Sequence, residues 1–286
     1  MCAIKNNNPA NNSTKPLLFV IKIGGNIIDN PQKLEIFLKQ YAAFNSNTKE
    51  IFSILVHGGG KLATSLAGQL NIQQKIIEGR RVTDSETLKV VTMVYAGYIN
   101  KTIISQLQGY GLNALGLTGT DGNLLLAHKR GNDSAHGTKG VDYGYVGDLD
   151  EVNTSFLTTL MKNNFTPVIA PITHDGKGQL LNTNADTIAQ EIATAMSKDY
   201  NVTLVYSFEK KGVLKDAEDD STLIQEITPS SYNNLKEKQL VFAGMVPKLD
   251  NAFSALSSGV SKVIIGKAED LDKLLNGETG TSIVAE

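Results

Sequence analysis

The chain has 286 residues, 41% of them hydrophobic, enough to bury the core of one large α/β domain or of two lobes sharing a sheet. Its formal net charge of −2 excludes a global basic field for nucleic acid or anionic membrane, so a nucleotide ligand needs local positive charge. Cys2, the single cysteine, excludes an intramolecular disulfide, and no apolar run approaches the roughly 18 residues of a membrane span, so a cytoplasmic protein is expected.

The Asn-rich stretch 1–16, with Pro9 and Pro16, reads as a disordered tail and lacks the apolar run of a signal peptide. Leu17–Ile23 is an apolar run expected to form a buried strand, interrupted by Lys22. Leu34, Phe37, Leu38 and Tyr41 give Gln32–Phe44 helical spacing. Ile51–Val56 repeats the buried-strand pattern and leads through a glycine triplet into a helix from about Lys61 to Leu70. Ser85–Gln108 reads as a long helix opened by an Asp84 cap, and Asn113–Leu117 as a further strand. From there to Asp150, Leu124–Lys129 and Tyr143–Gly147 suggest β-ribbons among Gly-rich turns. Helices follow at Thr154–Asn163, Asp186–Ser197, Ser230–Lys238 and Pro247–Ser257, with a short one around Leu274. Strands are expected at Pro167–Pro171, Val202–Tyr206 and Lys262–Ile265, and an acidic loop at Asp216–Asp220. This alternation predicts an α/β fold with a mainly parallel sheet covered on both faces, softly divided near Thr173–Gln179.

Missing motifs narrow the chemistry. There is no GxxxxGK[ST] phosphate loop. Gly109 to Ala114 matches GxGxxA but follows a helix and enters a strand, the reverse of dinucleotide-binding order. His57, His128, His136 and His174 form no i,i+4 pair for zinc.

Two glycine clusters follow strands, Gly24-Gly25 after Lys22-Ile23 and Gly58-Gly59-Gly60 after His57. Such turns are either ordinary strand–helix connections or cradles whose unobstructed N–H groups hold phosphate oxygens. A lysine inside the first apolar run favours the second reading, because a buried unpaired ammonium is costly and an anion resolves the cost. Asn182, Asn184 and Asp186 precede a helix and exceed what a simple N-cap requires. Arg80 and Arg81 are either solvated charge or a bidentate clamp on a carboxylate. Ala243-Gly244 and Lys248 stand before a helix, where a lone lysine ordinarily reads as exposed surface.

In order, Lys22-Ile-Gly-Gly25, His57-Gly-Gly-Gly60, Arg80-Arg-Val-Thr-Asp84, Asn182-Thr-Asn-Ala-Asp186 and Ala243-Gly-Met-Val-Pro-Lys248 resemble the amino-acid kinase family, from about Leu17 to Ala285. The arginine motif before the long helix places the resemblance nearest to members that act on N-acetylglutamate. The resemblance implies a three-layer αβα sandwich with a mainly parallel central sheet. Residues 17–173 would form an amino-acid-binding lobe and 174–286 an ATP-binding lobe. It implies transfer of the ATP γ-phosphoryl group to the substrate's side-chain carboxylate, giving an acyl phosphate in arginine biosynthesis. Lys22 and Lys248 would contact the transferring group, with Asp186 holding both. Gly24, Gly25 and Gly58 would bind phosphate, and Gly59, Gly60, Arg81 and Asn182 the amino acid. Mg²⁺ would be held mainly by the ATP phosphates, with no metal ligand from the chain. Where relatives commonly carry Thr-Asp before a glycine, this chain reads Ser207-Phe-Glu-Lys-Lys-Gly212, leaving Glu209 as the available carboxylate and the nucleotide-base contacts unassigned.

Two rival readings are the same reaction on N-succinylglutamate and a non-catalytic amino-acid sensor of this fold. A homodimer weakly sensitive to arginine is expected, since stretch 1–16 has no helical apolar stripe for a larger assembly. Val90, Val91, Val94 and Tyr98 on the long helix form either the dimer strip or part of their own lobe's core.

Overall fold

Residues 15–46, 51–77, 80–131, 139–216, 218–237 and 245–286 are described by the structure, a computed structural model of the chain. β1 (Leu17–Ile23) runs into a single helical turn, α1 (Gly25–Ile28), and then α2 (Pro31–Ser46). β2 (Ile51–His57) leads into α3 (Gly60–Gln69), and the hairpin of β3 (Lys75–Ile77) and β4 (Arg80–Val82) precedes α4 (Ser85–Thr92). Asp84 caps α4 by accepting the Thr87 N–H, as expected. α4 continues through a π turn (Met93–Ile99) into α5 (Asn100–Gly109). There follow β5 (Ala114–Leu117), β6 (Leu125–Lys129), β7 (Gly147–Val152), α6 (Thr154–Lys162), β8 (Thr166–Ile169), β9 (Ile172–His174) and β10 (Leu180–Asn182). The chain ends with α7 (Ala185–Met196), β11 (Asn201–Phe208), β12 (Glu226–Ile227), α8 (Pro229–Glu237), α9 (Val246–Ser257), β13 (Lys262–Lys267), α10 (Leu271–Leu275) and β14 (Thr281–Ile283).

Eight strands form the central sheet in the order β12-β14-β13-β11-β1-β2-β8-β5. Every neighbouring pair is parallel except β13 and β14. Alternation along the strands sorts side chains to two faces. Phe19, Ile21 and Ile23 of β1 pack with α2, α3, α4, α5 and α10, while Leu18 and Val20 pack with α6 to α9. Burying each large aliphatic side chain stabilises by roughly 1.5–3 kcal/mol, so both faces need cover. The result is the expected α/β sandwich of three layers around a mainly parallel sheet. A second sheet, β10-β9-β6-β7, lies outside the central eight. Among the described residues no helix is long and apolar enough to cross a membrane.

The expected helices and long strands all form, with ends shifted by one or two residues. The expected ribbon at Tyr143–Gly147 is displaced: β7 begins at Gly147, and the preceding residues make isolated bridges, Gly144 to Thr83 and Val146 to Asn182. Those partners lie far away in sequence, while Val146 O still accepts the Arg130 N–H at 2.7 Å just beyond β6. Near the soft division at Thr173–Gln179 stands the antiparallel pair β9–β10. Val90, Val91 and Val94 are buried in the chain's own core, so the strip they form is not a free surface, while Tyr98 remains 67% exposed. Of the tail expected at 1–16, residues 1–14 lie outside the described residues.

Candidate functional site

Lys22 shares the Val20 face of β1, between β11 and β2 and in register with Tyr206 and Val56. That face is covered by α7, and Lys22 Nζ meets Asp186 Oδ1 at 2.8 Å. Strand parity therefore delivers the ammonium to the helix that carries its counter-ion. Asn184 caps α7, its Oδ1 accepting the N–H groups of Asp186 at 2.7 Å and Thr187 at 3.2 Å. Capping thus employs one of the three polar residues in this motif and leaves Asn182 and Asp186 for other partners. The Lys22 and Asp186 side chains are 16% and 33% exposed, shielded but open to a ligand.

The two glycine turns face one another at the carboxyl ends of β1 and β2. Gly24 N–H donates to Ser207 O at 3.1 Å, and Gly58 N–H to Ile23 O at 3.3 Å. A Cβ on Gly25 would stand 3.8 Å from the nitrogens of both Gly59 and Gly60. Gly59 is the N-cap of α3 and has φ of +147°, and a side chain there would run into Ile99 Cδ1. Helix dipole and unobstructed amides together suit an anion at this point.

Arg81 and Asn182 are brought together through Thr83. Arg81 Nη2 donates to Gly60 O and to Thr64 Oγ1, each at 2.8 Å, and Nη1 donates to Gln74 Oε1. The guanidinium is thereby held against the second glycine turn. Asn182 Nδ2 donates to Thr83 Oγ1 at 3.0 Å. Tyr145 N–H donates to Thr83 O at 2.6 Å and Asn182 N–H to Tyr145 O at 2.9 Å, so the strap before β7 ties β4 to β10. Gln74 and Thr64 escaped the sequence reading because nothing local marks a residue that braces a distant arginine.

Lys248 stands in the first turn of α9, its Nζ 4.5 Å from the centroid of the Phe208 ring. Burial lowers its pKa, the Asp186 carboxylate opposes that shift, Lys22 adds to it, and Glu209 opposes it. Asp186 therefore pairs directly with Lys22 and reaches Lys248 through its charge. Glu209, the carboxylate singled out in the departure from the family pattern, acts on the same ammonium. Phe208 was not foreseen as a contact, and neither was Ser207, whose Oγ is buried with no hydrogen-bond partner among the described residues. Its signal was a hydroxyl next to the end of β11, just past the apolar run Leu204-Val205-Tyr206. Ala243 and Gly244 lie outside the described residues. A cavity of about 500 Å³, lined in part by Asp29, Lys61, Tyr98 and Gln106, includes none of the predicted site residues.

The carboxyl-end turns of this parallel sheet thus bring two glycine clusters close to a lysine–carboxylate pair. Residues 18–267 match the Amino acid kinase family, and the chain belongs to it. It is 50% identical over 270 residues to the acetylglutamate kinase of Cytophaga hutchinsonii, covering 94% of this chain and 98% of that one. It is 48% identical over 269 residues to the acetylglutamate kinase of Phocaeicola vulgatus, covering 94% and 99% of the two chains. Among solved structures, a carbamate kinase from Giardia lamblia bound to AMP-PNP superposes with a TM-score of 0.70 at 16% identity, over 95% of this chain and 99% of that one, which speaks to the fold alone.

Proposed function

We propose that this chain transfers the γ-phosphoryl group of ATP to the side-chain carboxylate of N-acetylglutamate, as a cytoplasmic enzyme of arginine biosynthesis. The observation that carries the reading is the field of one carboxylate, Asp186, acting on two ammonium groups, Lys22 and Lys248, beside two facing glycine turns. The names and near full-length coverage of the relatives support the substrate.

The chemistry asks for such a site. A glutamate side chain, with a pKa near 4.3, is already ionised at neutral pH, so the nucleophile needs no general base. A carboxylate oxygen bonds to the γ-phosphorus as the bond to the β,γ-bridging oxygen breaks, and ADP leaves with that electron pair. No proton need move. The obstacle is repulsion between an anion and polyanionic ATP, which fixed positive charge and preorganised N–H donors counter. In this reading Lys22 and Lys248 neutralise charge on the transferring group, and Asp186 keeps the lysines in place. Gly24, Gly25 and Gly58 surround the phosphate, Gly59 and Gly60 offer N–H groups both to the transferring phosphoryl oxygens and to the amino acid, and Arg81 and Asn182 hold the amino acid. Mg²⁺ arrives with ATP as part of the substrate, carried by the phosphate oxygens. Residues 17–173 serve the amino acid and 174–286 the nucleotide. A homodimer is the proposed assembly, with exposed Tyr98 and Met93 on its contact face, and a light-scattering mass twice 30.8 kDa is expected.

A coupled ATP-consumption assay tests the function. Turnover should require N-acetylglutamate and exceed that with N-succinylglutamate. Binding without turnover would instead identify a sensor.

A further inference from the structure

His57 closes β2 immediately before the Gly58–Gly60 turn, yet phosphoryl transfer as described above makes no use of it. Its imidazole is fully buried. Nδ1 lies 2.9 Å from Gly58 O, and Nε2 lies 3.2 Å from Nδ2 of Asn100, at the start of α5. The Asn100 amide is oriented independently of the ring. Its Nδ2 donates to Val168 O at 3.1 Å, and its Oδ1 accepts from Lys101 Nζ at 3.1 Å. An amide nitrogen can only donate, so Nε2 accepts, and the ring proton resides on Nδ1 and is donated to Gly58 O. Burial keeps the ring neutral by lowering its pKa to about 4; the Gly58 carbonyl opposes this, and the nearby Lys101 ammonium reinforces it.

The consequence runs through one peptide plane. Gly58 C=O and Gly59 N–H belong to the same planar trans unit and point in opposite directions. A carbonyl drawn back to His57 turns the Gly59 N–H away from it. Gly59 N is one of the two nitrogens 3.8 Å from where a Gly25 Cβ would stand, so it borders the space between the turns. Neither Gly58 nor Gly59 has a side chain of its own to hold that plane.

We propose that His57 is the positioning residue of this site: its Nδ1–H, locked in that tautomer by Asn100, anchors the Gly58 carbonyl and thereby aims the Gly59 N–H at the phosphoryl oxygens. The proposal rests on the reading that the glycine turns cradle the transferring group.

Two variants of the full chain separate positioning from mere packing. His57→Asn keeps an amide donor where Nδ1 stood, whereas the longer amide of His57→Gln reaches the Nε2 position and leaves Gly58 O without its donor. His57→Gln should lose about 10²-fold in kcat, the effect of one misdirected donor, with both KM values within about threefold of wild type. His57→Asn should recover most of that loss. Equal losses in two folded variants, or a wild-type kcat in His57→Gln, would overturn the proposal. The imidazole ¹⁵N spectrum of the wild-type chain reads the tautomer without any turnover. It should show Nδ1 protonated and Nε2 bare from about pH 8 to about pH 5, and a ring protonated at Nε2 would overturn the proposal even if both variants failed to fold. A wild-type chain that shows the expected tautomer and yet does not phosphorylate N-acetylglutamate would sink the functional reading, and the aim assigned to Gly59 with it.

Discussion

Lys22 Nζ and Asp186 Oδ1 stand 2.8 Å apart, one on a central strand and the other in the first turn of the helix covering that strand's face. Because Asp186 also acts on Lys248, its loss should be felt at both lysines. Lys22→Ala, Lys248→Ala and Asp186→Asn are each expected to lower kcat by roughly 10²–10³ while changing the amino-acid KM far less. Circular dichroism should show all three folded. A folded Lys22→Ala enzyme with more than about half the wild-type kcat would contradict the assignment.

Arg81 makes three hydrogen bonds through a rigid fork, to Gly60 O, Thr64 Oγ1 and Gln74 Oε1. A lysine offers one rotatable ammonium and cannot reproduce that geometry. Arg81→Lys should therefore raise the amino-acid KM by about 10-fold or more and leave the ATP KM nearly unchanged. Asn182→Ala should act in the same direction, since Asn182 is tied to the Arg81 strand through Thr83. Separate titration of the two substrates checks this, and a defect confined to ATP would move Arg81 to the nucleotide.

How far the sequence foretold this site depends on the range of the interactions. Lys22 was visible because an ammonium broke an apolar run, and the glycine turns because they followed strands. Asn184 and Asp186 showed as more polar groups than a cap needs. The bracing of Arg81 by Gln74 and Thr64 left no trace, nor did the seating of Lys248 over Phe208, because each partner is fixed by tertiary packing. β3, β4, β9, β10 and β14 are three-residue strands, too short to display a period of two. The π turn inside the long helix is equally silent, since it leaves the apolar stripe that predicts a helix in place.

The pH dependence should expose Lys248. Burial lowers its pKa, and the reaction uses the ammonium form, so kcat should fall as pH rises through that lowered value, earlier than for an ordinary lysine near 10.4. Glu209 favours the ammonium, so Glu209→Gln should move the alkaline limb to lower pH and largely preserve the plateau. A limb that stays put or moves upward in this variant would show that Glu209 does not act on Lys248.

Gly59→Ala places a side chain at φ of +147° and against Ile99. Backbone strain of this kind costs about 1–3 kcal/mol. Thermal unfolding should report a lower Tm, and turnover should be lost even at temperatures where the variant is folded. A Gly59→Ala protein as stable and as active as wild type would remove this turn from the site.

The central claim is that a carboxylate oxygen of N-acetylglutamate attacks the γ-phosphorus of ATP. Hydroxylamine captures the resulting acyl phosphate as a hydroxamate, so the direct measurement is hydroxamate formed per ADP released, with wild type and Lys22→Ala run side by side. The account predicts one hydroxamate per ADP in the wild-type reaction and a parallel collapse of both products in Lys22→Ala. ADP released without hydroxamate, or no dependence of ADP release on N-acetylglutamate, would contradict it.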